Sequence, residues 1–189
     1  MKKVALGIAL ISIIFFMITY NRLQQPTEKD VLKITEKWSE SIEEVLFVRE
    51  IEGKWLTLFR MQQAISIAEL QQNWLGTWKF KNNVTLSSIE YPPVLENQIA
   101  WSASGKSENE AYYFGMVTDS EIHKITIETG KGIFEDVPFI NYEGSRFFLK
   151  RAEGKLVMPV NISGYSQSGE FIYSSLKKIN KESLIVRRW

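Results

Sequence analysis

The stretch AYYFGMVTDSEIHKITIE, residues 111–128, contains two short runs that are rich in aromatic and β-branched residues. Such runs are typical of β-strands, because these side chains pack well on a pleated surface. The second run, IHKITIE, alternates imperfectly between apolar and polar residues. The stretch therefore predicts two neighbouring strands of a β-rich module.

Similar short runs surround this stretch, and turn residues separate them. The runs are QIAWSAS (98–104), RFFLKRA (146–152), LVMPVNISGY (156–165) and EFIYSS (170–175). Turn signals occur at Ser104-Gly105-Lys106, Thr129-Gly130-Lys131-Gly132, Glu143-Gly144, Glu153-Gly154 and Ser168-Gly169. Short strands with turns this close together predict a sandwich of two antiparallel sheets.

The preceding residues also favour strands. EVLFVREIEGKWLTLFRMQ, residues 44–62, predicts a hairpin that turns near Gly53. In AISIAELQQNWLGTWKFKNN, residues 64–83, the β-branched and aromatic residues favour two strands with a turn near Gly76. A helix over 68–75, capped by Gly76, is the alternative. The two prolines of YPPVLEN, residues 91–97, predict a break and a subdomain boundary.

A short amphipathic helix is predicted before the first hairpin. Thr27 and Asp30 have the spacing of a capping box, in which a hydroxyl and a carboxylate satisfy backbone amides at the start of a helix. An apolar stripe follows at intervals of three and four residues: Val31, Ile34, Trp38 and Ile42. We expect this stripe to pack on the strands that follow.

The first residues indicate a membrane segment. Lys2 and Lys3 precede an uncharged run, Val4–Tyr20, of 17 residues. As a helix this run is about 25 Å long, at the short end for a membrane crossing. It has no small-x-small cleavage site and no cysteine for lipid attachment. We expect an uncleaved single-pass anchor in the cell membrane, with the N-terminus inside and the C-terminal domain outside. A cleaved signal that releases a free secreted protein is the alternative.

Composition excludes several classes of protein. A hydrophobic fraction of 44% and an aromatic fraction of 13% describe a folded chain. A formal net charge of +1 argues against nucleic acid as a partner, because phosphates demand a basic surface. The lack of cysteine excludes disulfides and thiol chemistry, and in an exported chain it suggests a Gram-positive envelope.

The predicted fold class is α+β and mostly β: a transmembrane helix, a short amphipathic helix, an antiparallel β-meander and an immunoglobulin-like β-sandwich. The predicted segments are a cytoplasmic stub (1–3), a transmembrane signal anchor (4–20), a linker (21–26), a helix with β-meander (27–93), a β-sandwich module (94–176) and a basic tail (177–189).

The chain resembles a group of small exported proteins of bacilli that have no assigned function. The residues that carry the resemblance are Trp74, Gly76, Trp78, Gly115, Gly164, Tyr165 and Gly169. It extends over residues 44–174 through loose motifs. GYSQSGEFIY, residues 164–173, also resembles the last hairpin of immunoglobulin-like modules, although Ser166 and Ser168 stand where acidic residues or asparagine are common. The resemblance implies a location and an architecture, and it implies no active site.

No complete catalytic set is present in the sequence. Carboxylate pairs occur at Glu108/Glu110, Asp119/Glu121 and Glu135/Asp136, and a hydrolase would need two carboxylates to converge in a cleft. His123 is the single histidine, and no nucleophile motif accompanies it. We therefore expect a protein that is not an enzyme and has no cofactor or metal, with a carboxylate-based hydrolase as the minor alternative.

The expected role is a non-catalytic interaction module in the bacterial cell envelope. Besides the lipid bilayer, its partner would be another envelope protein or a wall polymer. The alternative is a module that binds cell-wall glycan through exposed tryptophans, unless those rings build the core. The candidate partner or glycan contacts are Trp74, Trp78 and Trp101. The candidate lipid or polymer contacts are the basic residues Lys177, Lys178, Arg187 and Arg188.

Overall fold

The computed structural model describes residues 2–36, 38, 41–81, 85–94, 97–107 and 109–176. Two helices lie in this part of the chain, α1 (Lys2–Leu23) and α2 (Glu28–Thr35). The strands are β1 (Ile42–Ile51), β2 (Lys54–Met61), β3 (Ala64–Gln72), β4 (Trp78–Phe80), β5 (Ser87–Glu90), β6 (Ile99–Ser107), β7 (Glu110–Val117), β8 (Lys124–Gly130), β9 (Ile133–Val137), β10 (Phe139–Tyr142), β11 (Ser145–Glu153), β12 (Ile162–Tyr165) and β13 (Phe171–Ser174).

The described chain is mostly β, as predicted, with three antiparallel sheets and two helices. One sheet has the order β1-β2-β3-β4, with β5 also paired to β3. The other two sheets have four strands each, in the orders β10-β11-β7-β6 and β13-β12-β8-β9. The chain divides into two compact units: Met1–Gln62 with Ser66–Thr85, and Gln63–Ile65 with Leu86–Trp189.

The predicted membrane-spanning helix at residues 4–20 gains no support from the fold. Within the described residues, no helix has both the length and the apolarity that a membrane crossing requires. The helix that contains this segment, α1, extends from Lys2 to Leu23.

The first unit begins its sheet with the predicted hairpin. Glu52 and Gly53 connect β1 to β2, and both have positive φ, which suits the tight turn of a twisted hairpin. The predicted strand–turn–strand at Gly76 is also confirmed, since β3 ends at Gln72 and β4 begins at Trp78. Gly76 has a φ of +80°, a conformation that favours glycine.

The amphipathic helix begins where the sequence predicts and ends earlier. The hydroxyl of Thr27 accepts a hydrogen bond from the Asp30 amide, and Asp30 Oδ2 accepts one from the Thr27 amide at 2.8 Å. The helix ends at Thr35, so Trp38 lies beyond it and Ile42 begins β1. Trp38 still packs edge-to-face on Phe80, with ring centroids 5.3 Å apart.

The core of the first unit combines α2 with one face of the sheet. Its buried members are Val31, Val45, Phe59, Ala68, Leu70 and Phe80. The rings of Phe59 and Phe80 are stacked, with centroids 5.7 Å apart. The predicted packing of the helical stripe on the strands is therefore observed.

The second unit has a core to which both of its sheets contribute. Tyr113 and Phe148 come from β7 and β11 of one sheet, whereas Ile125 and Ile162 come from β8 and β12 of the other. All four side chains are fully buried. This arrangement is consistent with the predicted sandwich of two sheets.

Three short strands, β5, β9 and β10, were not predicted from the sequence. One predicted strand, residues 156–165, is mostly loop. β5, β9 and β10 are only four or five residues long. Pro138 separates β9 from β10, and proline lacks the amide that would continue the ladder. Of the predicted strand 156–165 only Ile162–Tyr165 is extended in a sheet. Pro159, which also lacks an amide donor, lies in the part that is loop.

Candidate functional site

The three tryptophans predicted as partner contacts have different surroundings. Trp74 lies in the turn between β3 and β4 and is 71% exposed. Trp78 packs against the core of the first unit and contacts Trp55 edge-to-face at 6.2 Å. Trp101 packs against the core of the second unit. Among the three, Trp74 alone presents most of its ring to the surroundings, and the partner role of all three stays a prediction.

Trp101 connects the two four-stranded sheets of the second unit. Its Nε1 donates a hydrogen bond to the Tyr173 hydroxyl at 3.0 Å, from β6 in one sheet to β13 in the other. Burial raises the pKa of Tyr173, and the hydrogen bond from Trp101 acts in the opposite direction. Packing and this hydrogen bond therefore give the Trp101 side chain a structural role in the second unit.

Replacing Trp101 by phenylalanine is expected to destabilise the second unit by more than about 1 kcal/mol, because it removes a hydrogen bond of about that net value and part of a ring that packs against the core. Tyr173→Phe removes only the hydroxyl and should cost about 1 kcal/mol. The double variant should cost less than the sum of the two singles, since both remove the same bond. Thermal unfolding of the full chain measures all three variants, and strictly additive losses would show that the bond contributes nothing.

The basic residues predicted as lipid or polymer contacts lie outside the described residues. Lys177, Lys178, Arg187 and Arg188 belong to the segment 177–189. Their role stays a prediction.

The β3–β4 turn contacts the C-terminal end of α1 within the first unit. The side-chain amide of Gln72 donates to the carbonyl oxygens of Asn21 at 3.1 Å and Gln24 at 3.3 Å. The last carbonyls of a helix have no partner inside the helix, so Gln72 satisfies one of them. We call residues 20–24 and 72–77 together the junction.

Gly76 brings the two parts of the junction close together. It is buried, and a Cβ atom built on it would lie 2.8 Å from the Arg22 amide nitrogen and 2.8 Å from the Asn21 Cβ. Real Cβ atoms do not approach other atoms this closely, so only glycine fits here. Glycine is therefore required at position 76 for two reasons, the close approach of α1 and the positive φ.

The turn is also fixed by its own hydrogen bonds. Asn73 Oδ1 accepts from the amides of Leu75 at 2.9 Å and Thr77 at 3.0 Å. The Asn73 amide donates to the Thr77 carbonyl, and the Gly76 amide donates to the Asn73 carbonyl. Asparagine commonly closes turns in this way. The turn therefore holds Trp74 and Leu75 on a defined backbone.

Both parts of the junction carry exposed apolar side chains, and further ones follow along α1. Tyr20 is 57% exposed, Leu23 is 77% exposed and Leu75 is 38% exposed. Five consecutive residues of α1 are each 49–72% exposed: Ile13, Ile14, Phe15, Phe16 and Met17. Successive residues of a helix point about 100° apart, so these five side chains cover its whole circumference. The described chain leaves these five apolar side chains exposed.

The carboxylates predicted as candidate acid–base pairs are engaged in separate local contacts. Glu135 and Asp136 are adjacent on β9, where successive side chains point to opposite faces. Glu135 pairs with Lys150 at 2.9 Å, and Asp136 pairs with Lys124 at 2.9 Å. These two carboxylates therefore do not converge.

In each of the other two acidic pairs, one carboxylate has a local contact. Asp119 Oδ1 accepts from the Glu121 amide at 2.9 Å, and Glu110 pairs with Arg151 at 2.9 Å. Glu108 lies outside the described residues. The described residues gather no group of three or more side chains that could hold a metal ion.

The pKa of Glu135 is lowered below its ordinary value of 4.5, because the Thr129 hydroxyl and then Lys150 donate hydrogen bonds to the carboxylate. The folded state therefore keeps this carboxylate ionised more readily than the unfolded chain does. The resulting stability is present above pH 4.5 and is lost as the pH falls through the lowered pKa.

Glu135→Gln is expected to lower the melting temperature of the second unit near neutral pH, and the difference from the natural chain should shrink as the medium becomes acidic. Melting curves at a series of pH values measure this difference. Glu170→Gln, an exposed position in the β12–β13 turn, is the control. A difference between Glu135→Gln and the natural chain that stays constant with pH would contradict the assignment.

The sequence pattern pointed to Trp74 and missed its neighbours in the junction. Gln72 and Leu75 carry no motif, and the contact of Gln72 with Asn21 joins residues 51 positions apart. The local signal was the Asn73–Gly76 turn itself.

Comparison with known protein families, with characterised proteins and with solved structures finds no match to this chain.

Proposed function

We propose that this chain is a membrane-anchored extracytoplasmic protein that binds another component of a bacterial cell envelope and catalyses no reaction. The observation that carries the proposal is the exposed apolar circumference of α1 at residues 13–17. We make the proposal although no described helix has both the length and the apolarity of a membrane crossing. Fully covering one large apolar side chain is worth roughly 1.5–3 kcal/mol, so leaving Ile13, Phe15 and Phe16 in water is costly. A lipid bilayer would remove that cost.

We assign the orientation from Lys2 and Lys3, although this signal is modest because Arg22 and Lys29 lie near the other end of the apolar run. Lys2 and Lys3 precede it, and lysines next to a membrane helix favour the cytoplasmic side. The rest of the chain would then lie outside, which agrees with the location implied by the resemblance to exported proteins of bacilli. The absence of cysteine suits a chain exported without disulfides.

The second unit supplies the binding scaffold, and we assign it an immunoglobulin-like topology. If eight of its strands, β6–β13, are lettered A, B, C, C′, D, E, F and G, the two sheets that they form have the orders D-E-B-A and G-F-C-C′. This order agrees with the immunoglobulin arrangement of A, B, E and D in one sheet and C, F and G in the other. Many proteins with different functions share this fold, so the fold alone does not indicate the function.

An edge strand of this unit offers a surface for a protein partner. β9 lies at the edge of its sheet, and its first two residues, Ile133 and Phe134, are exposed. An edge strand has unpaired backbone groups to which an extended segment of another protein adds as a further strand. This mode of binding needs no pocket.

A double substitution in α1 tests the membrane assignment. Ile11 and Ile13 are exposed near the middle of the apolar run. An aspartate at the centre of a membrane helix costs about 2.5–3.5 kcal/mol. We therefore expect the full chain to stay with bacterial membranes after an alkaline carbonate wash, and Ile11→Asp with Ile13→Asp to release it.

Ile11→Leu with Ile13→Leu is the matched control and should stay with the membranes. The proposal fails if the natural chain washes off, or if the aspartate variant remains bound as firmly as the leucine variant. Both variants keep the whole length of the chain, so a change in fractionation reports the polarity of α1.

Glycan binding by tryptophans is the second candidate, and the exposure of Trp74 is the observation that favours it. Of the three tryptophans predicted for this role, Trp78 and Trp101 pack against cores, so the candidate reduces to a single ring. A shift of Trp74 fluorescence on addition of wall glycan, absent from Trp74→Phe, would favour it.

A further inference from the structure

The exposed ring of Trp74 and the end of α1 belong to one structural feature. Trp74 is two residues from Gly76, and consecutive Cα atoms are 3.8 Å apart, so the two Cα atoms are less than about 8 Å apart. Gly76 in turn touches Asn21 and Arg22. Trp74 is therefore attached close to the point where the apolar run of α1 ends.

The junction fixes the height of Trp74 along α1. Tyr20 ends the run Val4–Tyr20, and Asn21 is the next residue. With a rise of 1.5 Å per residue, Asn21 lies about 1.5 Å beyond Tyr20 along α1, and Gln24 directly follows the last residue of the helix. Gln72 bonds to both of these residues. If α1 is embedded in a bilayer, the β3–β4 turn lies at the level of the headgroups.

The side chains at this level have the chemistry of a membrane interface. Tryptophan and tyrosine are enriched there because each has an apolar body and a polar group that remains hydrated. Trp74 and Tyr20 are both largely exposed, and Leu75 adds apolar surface in the same turn. Arg22, two residues after Tyr20 in α1, supplies a cation of the kind that reaches the interface from the end of a membrane helix.

We propose that Trp74 and Leu75 insert into the headgroup region of the membrane that holds α1, so that the β3–β4 turn docks the first unit on the bilayer surface. This inference rests on the proposed membrane location of α1. It adds a second membrane contact, far from α1 in sequence. The hydrogen bonds of Asn73 and the close packing of Gly76 orient the turn for this contact before it meets lipid.

The lack of cysteine makes a direct depth measurement straightforward. The full chain with Leu75→Cys, carrying a nitroxide, is reconstituted in vesicles of phosphatidylcholine and phosphatidylglycerol. Electron paramagnetic resonance then compares the label's collisions with oxygen, which concentrates in lipid, and with a nickel chelate, which stays in water. Vesicle flotation of the same sample reports separately whether α1 binds lipid.

The control label is at Gln62, an exposed residue in the turn between β2 and β3. This turn lies at the opposite end of β3, and a nine-residue strand places it about 26 Å from Gln72. We expect the Leu75 label to favour oxygen and the Gln62 label to favour the chelate. Adding Trp74→Ala should move the Leu75 label into water while the protein still floats with the vesicles.

Two results would overturn the inference, and they are distinguishable. If the protein floats but the Leu75 label is as aqueous as the Gln62 label, Trp74 does not enter the bilayer and the anchor proposal stands. If the protein does not float, the anchor proposal and this inference both fail.

Discussion

The variant Gly115→Ala is expected to destabilise the second unit by about 3 kcal/mol, the upper end of the usual cost of overpacking, because its methyl group has no space. Gly115 lies in β7 between β6 and β11, paired with Trp101 on one side and Phe148 on the other. A Cβ atom here would lie within 2.6 Å of both the Phe148 ring and the Ala100 carbonyl oxygen. The ring is fully buried and the oxygen belongs to the backbone, so neither moves easily.

Thermal unfolding of the full chain measures this cost. For a unit of this size, 3 kcal/mol corresponds to a melting temperature lower by roughly 12 °C or more. Gly105→Ala is the matched control, since it lies on the neighbouring strand β6 and its new methyl would meet only Leu156, at 3.2 Å. A Gly115→Ala protein as stable as the control would contradict the packing described for this core.

Shortening the opposing side chain should restore part of the loss. Gly115→Ala combined with Phe148→Leu removes the ring that the methyl group meets, but it leaves the Ala100 carbonyl in place. The double variant should therefore be less damaged than the sum of its two single substitutions. Full recovery is not expected.

The second large effect is expected from Gly76→Ala at the junction. Alanine pays about 1–2 kcal/mol for the left-handed backbone that φ +80° requires. Its methyl group would also collide with Asn21 and Arg22 of α1, which adds about 1–3 kcal/mol of overpacking. The variant should therefore destabilise the first unit by about 2–5 kcal/mol and separate the turn from α1.

Gly53→Ala isolates the backbone contribution. Gly53 has a φ of +73°, almost the same conformation, and nothing lies within 4 Å of a Cβ built on it. Only the backbone penalty of about 1–2 kcal/mol should appear. The difference between the two melting temperatures measures the packing of α1 on the turn, and equal losses would show that the junction is not closely packed.

Much of the fold was accessible from the sequence because its signals are local. The capping box at Thr27 and Asp30 and the glycine turns at Gly53 and Gly76 each involve only a few neighbouring residues. Each was predicted and is observed. The apolar spacing overextended α2, because Ile42 continues the helical interval although it belongs to β1. Val31, Ile34, Trp38 and Ile42 nevertheless pack in or against one core. The apolar pattern therefore predicted which side chains face the core, although it did not predict where the helix ends.

The candidate site depended on contacts that the sequence does not encode locally. The sequence presented Trp74, Trp78 and Trp101 as equivalent, whereas packing separates an exposed ring from two that lie against cores. The bonds of Gln72 to α1 connect distant parts of the chain, and no periodicity signals them. The divergence of Glu135 and Asp136 follows from the alternation of side chains on a strand. This divergence could not be predicted from the sequence, because β9 was not recognised there as a strand.

In the function that we propose, α1 is retained and holds the rest of the chain outside the membrane. The most direct test expresses the full chain with a carboxyl-terminal tag in a Gram-positive cell, treats whole cells with protease, and measures the intact mass of the untreated protein in each fraction. We expect the untreated protein to be in the membrane fraction, with a mass that corresponds to all 189 residues plus the tag. We also expect protease added to whole cells to remove the tag. A shorter chain free in the medium, or a full-length chain whose tag survives protease on intact cells, would contradict it.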